Sequence, residues 1–118
     1  MLTFYENLGS ALKEDPSRAL LSYCAFLNNY QFSYCVQKCP KMALQYKFIC
    51  DRLTDIQFDI CVKKTWSYVT LHSPHVRARL SDVQFDYCLK TYPVITLEHV
   101  QFLDELILER ISPHDERK

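Results

Sequence analysis

Apolar residues recur along this chain at helical spacing. Phe58, Cys61 and Val62 follow the i, i+3, i+4 pattern of one buried helix face, as do Phe85, Cys88 and Leu89, and Phe32, Cys35 and Val36. Each set sits inside the same phrase: LTDIQFDIC at 53–61, LSDVQFDYC at 80–88, and the weaker LNNYQFSYC at 27–35, with LTFYE at 2–6 as a remnant. The four phrases open at Leu2, Leu27, Leu53 and Leu80, which are 25, 26 and 27 residues apart. A spacing this regular predicts an internal duplication.

The letters of the phrase predict a helix start. Thr3, Asn28, Thr54 and Ser81 stand where an N-cap side chain accepts an orphan backbone N–H, and three residues on come Glu6, Gln31, Gln57 and Gln84, the partner position of a capping box. Leu27 with Phe32, Leu53 with Phe58 and Leu80 with Phe85 have the spacing of a hydrophobic staple, which the first copy lacks because Asn7 stands there. Asp55 and Asp82 fall in the first turn, where the helix dipole favours an acid, and Asp59–Lys63 and Asp86–Lys90 are i,i+4 ion pairs on a solvated face.

Between these helices the chain carries further starts. Asp15-Pro16, Pro40 and Ser73-Pro74 each offer proline at a first helical position, and Thr96 precedes LEHVQFLDELILERI with Ile95 and Val100 at staple spacing. The expected architecture is all-α: four short helical hairpins of about 26 residues, eight helices, arranged as a small α-solenoid or as a compact orthogonal helical bundle. Residues 54–71 could also run as one longer helix through Trp66. A single domain over 1–112 with a flexible polar tail at 113–118 fits 118 residues.

Composition removes several alternatives. Gly9 is the one glycine in the chain, where average usage predicts about eight, so tight β-hairpins and glycine-rich phosphate loops are excluded. Fourteen basic residues balance fourteen acidic ones, but residues 38–90 hold nine basic against five acidic, and 91–118 three against six. No apolar run approaches the roughly 20 residues that span a bilayer, and the amino-terminal stretch meets Glu6 and Lys13 too early for a signal peptide. The expected setting is intracellular, cytoplasmic or nuclear, with no membrane partner.

Candidate chemistry is thin. Cys35, Cys61 and Cys88 share one register behind the staple phenylalanine and are expected as packed, reduced thiols. Cys35 and Cys39 with His72 and His75 make the nearest approach to a zinc set, without the spacing such a site uses, and no nucleophile or acid–base motif stands out. No metal, cofactor or catalytic residue is assigned. The function that remains is a non-enzymatic protein-interaction or assembly module, a scaffold or adaptor, binding another protein or a second copy of itself, a homodimer included.

Its contact residues are expected at Phe102, Leu106 and Leu108 on an over-apolar last helix, with Trp66 and Tyr68 second. The alternative is nucleic-acid binding through Lys38, Lys41, Lys47, Lys63, Lys64, Arg77 and Arg79. The places where the phrase is interrupted, Trp66 to His75 and the last helix, are where function is sought.

Overall fold

The computed structural model describes residues 3–111, so Leu2 and the tail at 113–118 lie outside the described residues. The described chain is all-α. It begins with α1 (Phe4–Glu14) and α2 (Pro16–Tyr23), the latter ending in a 3-10 turn at Cys24–Phe26. Next come α3 (Asn29–Lys38), α4 (Pro40–Gln45), α5 (Lys47–Cys50), α6 (Asp55–Lys64), α7 (Ser67–Leu71) and α8 (Pro74–Arg79). The last two are α9 (Asp82–Thr91) and α10 (Leu97–Ile111).

All four expected capping boxes form, Thr3 with Glu6, Asn28 with Gln31, Thr54 with Gln57 and Ser81 with Gln84, each with both reciprocal hydrogen bonds. The staples close as well: Leu27, Phe32, Leu53, Phe58, Leu80 and Phe85 are all buried. Cys35, Cys61 and Cys88 are fully buried behind them.

Ten helices replace the expected eight because the second arms of the second and third hairpins are each broken. Ala43 and Leu44 are buried, and so are Ile49 and Cys50, six residues further on. On one straight helix, residues six apart point about 240° apart, so a continuous arm would carry one pair out of the core. Extended backbone at Tyr46 re-aims the chain, and both pairs go in. Thr70 and Val76 are also six apart and fully buried, with the break at Ser73 before Pro74.

The single helix through Trp66 does not form either. Thr65 and Trp66 are extended, and the break lets Ser67 turn inward to hydrogen-bond Thr91. In α10, by contrast, Phe102, Leu103, Leu106 and Ile107 keep i, i+3, i+4 spacing, and that arm is one uninterrupted helix.

The hairpins are joined by a contact that recurs from one to the next. Arg52 donates to the Cys24 carbonyl and, at 2.6 Å, to that of Leu27, with its guanidinium 4.2 Å from the Phe32 ring centroid. Arg79 donates to the Cys50 and Leu53 carbonyls, both at 2.6 Å, and lies 4.5 Å from the Phe58 ring. Arg110 reaches the Arg77 and Leu80 carbonyls and lies 4.5 Å from the Phe85 ring. In each case an arginine ending one hairpin adds a charged donor to two carbonyls at the end of the preceding hairpin, one of which also accepts the N–H of the opening leucine, and covers the staple that follows.

The capping-box glutamines add a second tie, since Gln57 Nε2 donates to Ser33 Oγ and Gln84 Nε2 to Asp59 Oδ1, both at 2.9 Å. One apolar core runs from Leu8 to Leu106. The helices extend over 58 × 35 × 23 Å with a radius of gyration of 17.1 Å, against about 13 Å for a chain of similar length packed round one centre.

Arg79→Ala is expected to lower unfolding stability by about 2–4 kcal/mol, because two part-buried carbonyls lose a charged donor and a ring loses its cover. Arg79→Lys recovers less than half, since an ammonium cannot span both acceptors. Asp55→Asn, which removes a fully exposed ion-pair partner of Arg79 and the first-turn acid of α6, lowers stability by less than about 1 kcal/mol. Urea titration of the three variants checks the order.

Candidate interaction surface

The two interruptions of the phrase meet in space. Trp66 lies in the bend before α7, Tyr68 in the first turn of α7 and His72 at its end, while Phe102 comes from α10. Trp66 stacks on Tyr68 with centroids 5.3 Å apart, Tyr68 lies 4.3 Å from the His72 ring, and His72 stacks face to face on Phe102 at 4.1 Å. Tyr92, which ends α9, backs this row: its ring is 5.8 Å from Tyr68 and 5.9 Å from Phe102, and its hydroxyl shares a 2.8 Å hydrogen bond with His72 Nε2.

His99 fixes how α10 leaves the row. Its Nδ1 accepts from the backbone N–H groups of Ile95 (3.1 Å) and Thr96 (3.4 Å), while its own N–H donates to Thr96 Oγ1 (3.3 Å). This is a capping box with histidine in place of the glutamine used elsewhere in the chain. Because Nδ1 accepts, the ring proton is on Nε2.

One end of the row is sealed and the other is open. Tyr92 is buried and Phe102 half-buried, whereas Trp66 is 60% exposed. Tyr68 is partly exposed, and Val94, Ile95 and Leu97 extend apolar surface along the α9–α10 connection. Flat aromatic faces with a polar edge are suited to docking apolar and π surfaces.

Burial pushes the Cys35, Cys61 and Cys88 thiols up to about 11, the opposite of what a nucleophilic cysteine requires. Among the described residues no group of three or more His, Cys, Asp or Glu could hold a metal ion, and no helix is long and apolar enough to cross a membrane. His75 Nε2 is 2.6 Å from the Leu44 carbonyl, to which it donates, and is spent there.

Trp66, Tyr68 and Phe102 therefore come together as one surface, although Phe102 is partly taken up by His72. Leu106 is corrected: it is buried in the chain's own core. Leu108 lies exposed on the outer side of α10. Arg79 and Arg77 are corrected as nucleic-acid contacts, since Arg79 clamps the preceding hairpin and Arg77 donates to the Leu71 carbonyl at 2.8 Å. Lys47 and Lys63 are held by Asp51 and Asp59 at i,i+4. Lys38 lies 5.7 Å from the Tyr34 ring, and Lys41 and Lys64 are exposed.

His72, Tyr92 and His99 were not legible as members of the row. Arg52 and Arg110 were, in principle: Arg precedes Leu-Thr at 52–54, Leu-Ser at 79–81 and Ile-Ser at 110–112, so the phrase begins one residue earlier than its leucine. Compared with protein-family models, curated proteins and solved structures, the chain matches none.

Two pH dependences follow from the site and the core. Thiols ordinarily ionise near 9, so between pH 9 and about 11 the folded chain keeps protons on Cys35, Cys61 and Cys88 that the unfolded chain has lost, and stability falls as pH rises through that window. His72 is held below its ordinary 6.5 by burial first and then by the Arg77 charge. Below 6.5 the unfolded chain binds a proton that the folded one resists, so stability also falls toward acid. Denaturant midpoints from pH 5 to 11 check both, and His72→Gln should flatten the acid side alone.

Proposed function

We propose that this chain is a non-enzymatic helical-repeat module that assembles with another protein or with further copies of itself, using the aromatic row and the last helix as contact surface. The supporting observation is the row itself. A stack of four rings that ends in open solvent at Trp66, flanked by exposed Val94, Ile95 and Leu97, places more aromatic and aliphatic surface in water than the core of the fold requires.

Nucleic-acid binding has a narrower base. With Arg77, Arg79, Lys47 and Lys63 engaged, that reading rests on Lys38, Lys41 and Lys64, about three phosphate contacts, too few for tight binding at physiological salt.

Trp66 is the one tryptophan of the chain, so its emission reports contact at the open end of the row. Assembly with a partner or a second copy is expected to shift that emission to shorter wavelength and to weaken at least tenfold in the Tyr68→Ser, Val94→Asp double variant, with helicity unchanged. An emission maximum indifferent to concentration and to a captured partner would overturn the row as contact surface. Oligonucleotide binding at low salt that survives Trp66→Ala and Tyr68→Ser would replace this reading with the nucleic-acid one.

A further inference from the structure

The repeated phrase contains two positions that neither cap, staple nor core explains. Three residues after each opening leucine stand Tyr5, Tyr30, Ile56 and Val83, which are 80%, 89%, 75% and 81% exposed. Four residues further along α3 and α6, Tyr34 and Ile60 are also exposed. Residues at i and i+4 share one helix face. These therefore form an outward apolar ridge, and α3 and α6 carry theirs side by side. Helix formation does not ask for this, because Ile, Val and Tyr are middling helix formers at a surface position where Ala, Glu or Lys would serve better.

Between α3 and α6 the ridge borders a groove of about 80 Å³, floored by Val36 and Cys61 and edged by Ile60, Pro40 and Lys64. Lys64 lines the groove itself, and Lys38 and Lys41 lie near it at the end of α3 and the start of α4. Lys38, Lys41 and Lys64 form no ion pair among the described residues, whereas Lys47, Lys63 and Lys90 each hold an aspartate.

The complementary surface is on α10. Its inner side faces the core through Phe102, Leu103, Leu106 and Ile107, and its outer side exposes Leu97 and Val100. Glu98, Asp104 and Glu105 lie on that outer side, and among the described residues they make no ion pair, in contrast to Asp51, Asp55, Asp59, Asp82 and Asp86. Glu98, Asp104 and Glu105 on α10, and Lys38, Lys41 and Lys64 beside α3 and α6, thus stand on two separate surfaces with no ion pair among the described residues. With its inner side fixed in the core, α10 cannot turn its outer side onto α3 and α6 of the same chain.

We infer that the ridge of α3 and α6 is the docking surface for the outer face of α10 from a second copy. Leu97 or Val100 enters the groove beside Ile60, and Glu98, Asp104 and Glu105 meet Lys38, Lys41 and Lys64. The inference rests on the reading of the chain as a self-assembling module, keeps the last helix as one surface, and adds the ridge of α3 and α6, apart from the aromatic row, as the surface that receives it. Because the surfaces differ, the contact is head-to-tail, the dimer keeps one surface of each kind open, and association continues past the dimer.

Sedimentation at about 50 mM and about 500 mM salt tests it. Wild-type protein is expected to grow in average mass with concentration, without a plateau at two copies, and to weaken at least tenfold at the higher salt. Lys41→Glu with Lys64→Glu, and separately Asp104→Lys with Glu105→Lys, should each be monomeric, while an equimolar mixture of the two associates again. Ile56→Asp, at an exposed site, should abolish assembly with the helical spectrum intact.

Assembly that survives the lysine reversals and Ile56→Asp but is lost in Leu97→Asp with Val100→Asp overturns the ridge and leaves the proposed function standing. A wild-type chain monomeric at every concentration and salt overturns both the ridge and self-assembly.

Discussion

The structure depends on how each hairpin disposes of the carbonyls at the end of its second arm. A helix leaves its last C=O groups without partners, and a chain of short helices multiplies that cost at every joint. Here the joint solves it with a guanidinium from the next hairpin: Arg52, Arg79 and Arg110 each span the carbonyl of an opening leucine and one three residues before it. The planar fork of arginine suits two acceptors in one plane, and its face is free to cover the staple phenylalanine. One side chain thereby caps a helix end, shields a ring and sets the spacing between neighbours. In the first hairpin the position is occupied by Phe26, which packs on Phe4 at 4.9 Å.

That joint explains why glutamine follows the cap at Gln57 and Gln84 while the first copy has Glu6. A capping box needs only an acceptor at this position, and glutamate serves. Glutamine supplies the same acceptor oxygen plus an N–H₂ group, and in α6 and α9 that group reaches back to Ser33 and Asp59 of the preceding first arm. Glu6 supplies the acceptor alone, and its carboxylate is held low by the Thr3 backbone N–H.

What could be read from the letters alone was local. Capping boxes, staples, first-turn acids and the cysteine register all involve residues within a few positions of each other, and each formed as its spacing implied. What could not be read was set by contacts between hairpins. The break at Tyr46 follows from where the core lies relative to Ala43 and Ile49, which no local preference announces, since neither proline nor glycine stands there. The clamps were missed because an arginine at a helix end has a sufficient local explanation as a dipole partner, and the carbonyls it reaches are 25 to 33 residues earlier. The aromatic row was half legible: Trp66, Tyr68 and Phe102 stood out by type, while His72, Tyr92 and His99, which hold them in place, looked like residues at helix ends.

The same division separates folding from function. Within the phrase, the leucine, cap, glutamine, phenylalanine and cysteine are each accounted for by a hydrogen bond or a buried contact. Tyr30, Ile56 and Val83 are not, and removing them would cost the fold no cap, staple or clamp. An apolar side chain kept in water at one register of successive hairpins exposes hydrophobic surface and invites association. Its cost is offset only when something covers it. Lys38, Lys41 and Lys64 beside α3 and α6, and Glu98, Asp104 and Glu105 on α10, which make no ion pair among the described residues, have the arrangement such a cover needs.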